Sequence, residues 1–440
     1  MSGLQVGMII FFLALAILGV LLFAGIIPGF SGTTSSRESA VKILIWGTLP
    51  HEDVEKVSDA FVKRERGRFD ITYVVQSSEN LEINLLRAIA DGSAPDIILF
   101  PDDLLLSLEN QFFTIPPESM NERAFRERFA EAGELFSVPQ GILALPIALD
   151  PVVMYWNRDI FKEVGVLKPP EYWDELFDFA KRTSVKDSSG KVLLSAVSLG
   201  ETRNITHSKE ILSTLFMQTG TPITRRTPAG RVVSELVRRD ENSPVTPAES
   251  GLVFYTDFSN PAKPHYSWNG SLPQSRDAFG AELLAIYFGL ASDLETIRSG
   301  NPHLNFDVTE VPQIRDGRSK LTWTKIFGGA VLKSSKQIGS ALEVLYALTD
   351  AESEKLFSEV LNLPPARRDL LSTAHPDPYS ASFYRSAAFG KGWLDPNQAR
   401  TMTIFQDMVD KVTARRITPS VAVFDAGEQL SEALESLDVR

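Results

Sequence analysis

The sequence predicts an α/β fold built as two doubly wound lobes, and three observations carry that expectation. Residues 41–100 alternate short apolar runs with amphipathic periods in the order strand, helix, strand, helix, strand, which implies a parallel sheet covered by helices. The alternation restarts after Asp150. Between the two halves lies GILALPIALDPVVMYWNRDIF, Gly141 to Phe161, an apolar run that contains Pro146, Asp150 and Pro151. Proline removes a ladder donor, so one ordinary central strand does not tolerate two of them and the run reads as a strand broken halfway. Length agrees, because 440 residues exceed what a single hydrophobic core usually supports.

Each element has its own signal. VKILIW (41–46) is a β-branched apolar run, and the following LPHEDVEKVSDAFVKRE places Val54, Val57, Phe61 and Val62 on one helical face. FDITYVV (69–75) is the second strand. NLEINLLRAIADG (80–92) is a helix closed by Gly92, and DIILF (96–100) is the third strand. Past Asp150 a helix is expected near Arg158 to Gly165. PPEYWDELFDFAKR is expected to turn Trp173, Leu176, Phe177 and Ala180 inward behind Pro169 and Pro170, and VLLSAVSLG (192–200) to return as a strand. RRTPAGR and ENSPVTPAE mark a loop-rich insert over about 225–249.

Composition limits the function classes. Val6 to Ile27 is almost purely apolar, and at helical rise it spans roughly 33 Å, about one bilayer core. No charged side chain precedes Arg37. The run is longer than the apolar core of a cleaved signal, so residues 1–29 are expected to be a single-pass anchor, with a cleaved signal left open. Residues 30–40 are small and polar and read as a tether. The net charge of -12 therefore belongs to the globular part and argues against nucleic acid as a partner. With no cysteine, disulfides, thiolate metal sites and lipid-modified cysteine are excluded.

The usual catalytic signatures are absent. There is no GxSxG elbow, HExxH, phosphate loop, GxGxxG after a strand or EF-hand loop. His51, His207, His265, His303 and His375 have no ligand spacing, and neither a metal nor a cofactor is expected. Positive signals lie where open α/β sheets bind ligands, just past the carboxyl ends of strands. These positions are Trp46, Gly47 and Thr48, then Gln76 and Ser77, then Pro101 and Asp102. Ser77 reads equally as a loop residue and Asp102 as a helix cap. HYSWNG, LTWTKIFGG and FGKGWLD set Trp268, Trp323 and Trp393 beside Gly, Asn and Lys, which suits stacking on a sugar face or closing over a small polar ligand. The other reading of each is a tryptophan capping a core edge; Trp156 and Trp173 read as core.

Several stretches in order, SAPDIILF (93–100), LALPIALDPVVMYWNRDIF (143–161), KPPEYWDEL (168–176), AFGAELLAIYFG (278–289), FDVTEVPQI (306–314) and IFGGAVLKSS (326–335), resemble the extracellular solute-binding proteins of ABC importers, family 1, the maltose-binding-protein-like type. The likeness covers about 300 residues, though no single piece is specific. It implies the periplasmic-binding-protein type II architecture, two lobes joined by a crossing-strand hinge with ligand in the cleft, and gives the broken strand a role: Asp150 and Pro151 would be the crossover. It divides the chain into 41–149 (lobe one), 150–307 (lobe two), 308–350 (return to lobe one, with 308–314 as the second crossing) and 351–440 (lobe two). It places ligand contacts at Trp46, Thr48, Ser77, Asp102, Asp150, Tyr155, Trp268, Tyr287, Trp323 and Trp393. Two departures stand out: Glu282 where the family often has glycine, and the missing lipidated cysteine.

The resemblance implies a monomeric, non-enzymatic, extracytoplasmic binding protein that captures a solute and presents it to an ABC permease. A carbohydrate is the first ligand expected and a polyamine the second, since Asp102 and Asp150 could pair with ammonium. The rivals are an anchored glycan hydrolase, which would turn over substrate, and a ligand-sensing ectodomain.

Overall fold

The computed structural model describes residues 40–238, 245–315, 317 and 319–438. The apolar run 6–27 lies outside them. Among the described residues no helix is long and apolar enough to cross a membrane.

The described residues include one ten-stranded sheet. Its strands are β1 Val41–Gly47, β2 Phe69–Val75, β3 Ile97–Pro101, β4 Leu145–Asn157, β5 Val185–Lys186, β6 Val192–Val197, β7 Leu284–Leu290, β8 Phe306–Thr309, β9 Thr322–Val331 and β10 Gly390–Lys391. They lie in the order β2-β1-β3-β9-β4-β7-β6-β5, with β8 also on β4 and β10 on β9. The first three strands are parallel as expected. The sheet as a whole is mixed, because β9 runs antiparallel to both β3 and β4, and β4 antiparallel to β7.

β4 explains the two prolines and corrects the expectation of a break. It is a continuous strand of 13 residues, and what changes along it is its neighbours. Leu145 to Pro151 pair with β9, in lobe one, whereas Val152 to Trp156 pair with β7 in lobe two. Pro146 sits opposite Gly328 beside a register shift between Phe327 and Gly328, a bulge being one of the few sheet positions where a missing donor is harmless. A Cβ at Gly328 would come within 2.6 Å of the Phe136 ring, so glycine leaves room for that ring against the strand. Pro151 stands at the change of partners, where its carbonyl accepts the Ala291 N–H at 3.0 Å.

The second crossing is β9, not 308–314. β8 pairs with Met154 to Asn157 and so stays in lobe two, while β9 runs from Thr324 opposite Pro151 to Val331 opposite Ile97. The third lobe boundary also moves. The helix Ala351–Leu361 packs on the helix His51–Arg64 and on β4, and Glu354 at its heart accepts the Ala366 and Arg367 N–H groups, each at 2.9 Å. That clip lays 364–366 along the lobe-one half of β4, where Leu149 donates to Pro364. Residues 351–371 thus complete lobe one, and the helices Gln398–Thr413 and Pro419–Asp438 complete lobe two against Pro247–Asp257. The resemblance had placed 351–440 wholly in lobe two.

Glu282 has φ +60°, the left-handed region that glycine enters without a Cβ penalty. Glu282→Gly is therefore expected to stabilise the protein by about 0.5–1 kcal/mol in urea denaturation, the relief of strain slightly exceeding the added chain entropy. A loss of stability would contradict this.

Candidate functional site

The carboxyl end of β3, the crossing strand β9, the start of the helix Ser208–Gln218 and the segment 391–398 meet between the lobes. They enclose a cavity of about 20 Å³ lined by Asp102, Asp103, Lys209, Glu210, Trp323, Lys325, Trp393, Asp395 and Gln398. That volume holds about one water, so the two lobes meet closely at this point. Outside it, and sharing Trp393, a groove of about 440 Å³ runs between the lobe-one turn Glu131–Ser137 and the lobe-two residues 217–226. A cavity of that size suits a small solute.

The chamber is charged and closely packed. Lys209 Nζ lies 2.7 Å from Asp395 Oδ2, with side chains only 5% and 8% exposed, and its ammonium sits 5.8 Å from the Trp393 ring centroid. Burial works to strip its proton, but Asp395 and Glu210 outweigh that and raise its pKa. Asp102 Oδ1 accepts the Ile326 N–H at 2.9 Å. Burial, with Asp103 adding repulsion, pushes this carboxyl up to about 7 against the pull of that N–H and of Lys325. Burial also raises Asp103, whose partner Lys325 is 3.8 Å away and whose Oδ1 is enclosed without a hydrogen-bond partner. Four carboxylates thus face two lysines around one space, beside two indole rings.

Of the ten residues expected from sequence, Asp102, Trp323 and Trp393 line this chamber. Trp323 does so from β9 rather than from a loop, and Trp393 donates from Nε1 to Ser213 Oγ at 3.1 Å. Asp150 is buried in β4 opposite Lys325, with Oδ1 accepting the Ser292 N–H at 3.0 Å and burial raising its pKa. Trp46 and Thr48 lie at the carboxyl end of β1 as expected, Trp46 half-buried and Thr48 Oγ1 enclosed with no hydrogen-bond partner. Ser77 is exposed before the helix Ser78–Ala90 and accepts from Asn80.

The other three lie in the core of lobe two. Trp268 is fully buried and donates to Asn204 Oδ1 at 3.1 Å. Tyr155 and Tyr287 are fully buried with ring centroids 5.8 Å apart; Tyr155 donates to the Leu290 carbonyl at 2.7 Å and Tyr287 to Asp293 Oδ2 at 2.7 Å. None of the three lines the chamber. The expected placement misleads because a Trp or Tyr beside polar residues satisfies its polar tip inside a core as readily as at a ligand. Tyr287→Phe removes a hydrogen bond to a buried carboxylate and is expected to cost about 1–3 kcal/mol of stability while leaving solute affinity within two-fold; a selective loss of affinity would return Tyr287 to the site.

Asp103, Lys209, Glu210, Lys325, Asp395 and Gln398 were not legible beforehand. Only the alternation TWTK, which aims Trp323 and Lys325 to one face of a strand, could have hinted at one of them.

Two lobes joined by two crossing strands thus meet around a small charged chamber. Residues 51–220 match the family model for bacterial extracellular solute-binding proteins, and the fold overall is similar to that of solved maltose- and maltodextrin-binding proteins. It is 30% identical over 159 residues to a binding protein of Brucella abortus (strain 2308), covering 35% of this chain and 38% of that protein's length. A cyclo/maltodextrin-binding protein complexed with maltotetraose shares the fold with TM-score 0.72 at 17% identity, over 90% of this chain and 98% of the other. The cyclic alpha-maltosyl-1,6-maltose binding protein from Arthrobacter globiformis gives TM-score 0.73 at 12% identity, over 90% and 100%. These relatives are binding proteins rather than enzymes.

Proposed function

We propose that this chain captures a small polar solute, a carbohydrate first, by closing its lobes over it, and hands it to an ABC permease outside the cytoplasm. The run 6–27 would bring the chain to the membrane as an anchor or as a secretion signal. The observation that carries the reading is the chamber walled by both lobes: Asp102 and Asp103 come from one, Lys209 and Trp393 from the other. Contacts made by both walls exist together only when the cleft is shut, so a solute that uses them shifts an open–closed equilibrium. Trp323 and Trp393 offer stacking faces and the carboxylates accept from hydroxyls. The sugar-bound structures that share the fold support the same choice of solute.

One observation favours a second reading. Four carboxylates against two lysines leave an acidic surplus in an enclosed space, which suits a solute carrying an ammonium group, such as a polyamine. Calorimetry of the purified protein against maltotetraose, mannotriose, tagatose and spermidine separates the two. Binding of a sugar with no heat from spermidine supports the first reading, and the reverse supports the second. Cleavage of an oligosaccharide during incubation would overturn both.

A further inference from the structure

We infer that Arg226 and Glu109 form a clasp between the lobes that sets how readily the protein closes over its solute. The inference rests on the proposed lobe closure. Glu109 belongs to the lobe-one turn Glu109–Gln111 after β3. Arg226 ends the strand Thr224–Arg226 of a small hairpin with Val232–Ser234, which packs on the lobe-two helix Pro419–Asp438. Arg226 Nη2 donates to Glu109 Oε2 at 2.6 Å and Nη1 to Oε1 at 3.3 Å, a two-pronged pair. The side chains are 12% and 23% exposed; both lie away from the inner chamber, and Arg226 lines the outer groove.

Three features make this contact more than a surface ion pair. Planar two-pronged pairing fixes geometry as well as charge, and partial burial shields it from salt. Arg226 is also held ready before the lobes meet. The turn after it closes through Thr227 N to Arg231 O and Gly230 N to Thr227 O, both 2.8 Å, Gly230 has φ +88°, and the Gly230 carbonyl accepts from Nη1 at 2.9 Å. Little side-chain entropy is left to lose on closure. Finally, Arg226 Nε is buried without a partner, so the guanidinium is dehydrated in the closed form and depends on Glu109 for its compensation.

The other ionic groups along the groove do not substitute. Arg225 and Arg238 both pair with Glu235 inside lobe two. Glu134 pairs with Arg126 inside lobe one. Lys391 and Glu131 do reach across at 2.7 Å, but they are 36% and 47% exposed, and exposed pairs contribute little.

The absence of cysteine makes a clean test available. Spin labels on Ser119→Cys in lobe one and Ala229→Cys in lobe two report the lobe separation of the solute-free protein by double electron–electron resonance. Glu109→Gln is expected to raise the ratio of open to closed molecules on the order of ten-fold, and the charge swap Glu109→Arg with Arg226→Glu to bring it back toward the original. Raising salt on the unaltered pair should move the ratio far less than Glu109→Gln does, because the pair is partly buried. A distance distribution indifferent to Glu109→Gln overturns the clasp, even if maltotetraose still shortens the distance and lobe closure stands. Bound maltotetraose with no shortening at all would instead sink lobe closure.

Discussion

Replacing Lys209 with methionine is expected to cost about 3–5 kcal/mol of folding stability, the largest single effect anticipated here. The change leaves the Asp395 carboxylate buried with only Thr401 Oγ1, at 2.9 and 3.0 Å, and the Asn397 N–H, at 3.0 Å, to hold it. The pair itself contributes less than that loss, because both charges had to be dehydrated; the penalty is that of the orphan. Adding Asp395→Asn to Lys209→Met should therefore recover most of the stability, since the asparagine oxygen still accepts from Thr401 and the orphaned Asp395 charge is gone. Urea denaturation of the three proteins checks this, and a loss below about 1 kcal/mol in the single variant would show that Asp395 has relaxed to water.

Asp102→Asn should have the second-largest effect, and its sign follows from linkage. Burial, reinforced by Asp103, raises the Asp102 pKa from the ordinary 3.8 to about 7. A carboxyl raised on folding contributes stability that is fully present below 3.8 and is lost as pH rises through about 7. At about 1.4 kcal/mol per pH decade the loss is at most roughly 4 kcal/mol. Asparagine can still accept the Ile326 N–H and never ionises. The variant should accordingly be as stable as the parent near pH 4 and more stable at pH 8, flattening the pH profile. Since Asp102 faces the interlobe chamber, part of the same linkage should act on opening, with the parent closing more readily at pH 5 than at pH 8. A variant that tracks the parent at every pH would show that Asp102 is hydrated in solution.

The first lobe was legible in detail, because its signals are local. The strands expected at 41–46, 69–75 and 96–100 are found within one residue of those bounds. The helix expected at 80–92 spans Ser78–Ala90. In lobe two, Trp173, Leu176 and Ala180 are buried as expected, whereas Phe177 is half-buried. What sequence could not convey was long-range pairing. The two prolines of β4 suggested a break, yet the strand continues because its partners change at Pro151, and partners are set by residues more than a hundred positions away. The return crossing at β9 and the lobe of the helix Ala351–Leu361 were missed for the same reason.

The site was legible by halves. Asp102, Trp323 and Trp393 converge because strand ends and the segment after β10 meet between lobes, a meeting place the fold class itself implies. Tyr155, Trp268 and Tyr287 do not, because on a strand or core-edge turn the aromatic body finds a dry interior and its polar tip finds Leu290, Asn204 or Asp293. The ionic residues of the chamber were invisible for another reason. Lys209 and Glu210 look like a solvated helix start, and only the approach of residues 391–398 buries them.

The most direct test of two lobes hinged on β4 and β9 is the separation of labels placed on opposite lobes, at Ser119→Cys and Ser188→Cys, with and without whichever solute gives heat in calorimetry. A solute-free population containing a longer distance, which collapses to one shorter distance at saturation, is the predicted result. One unchanged distance in both conditions, with the solute demonstrably bound, would contradict it.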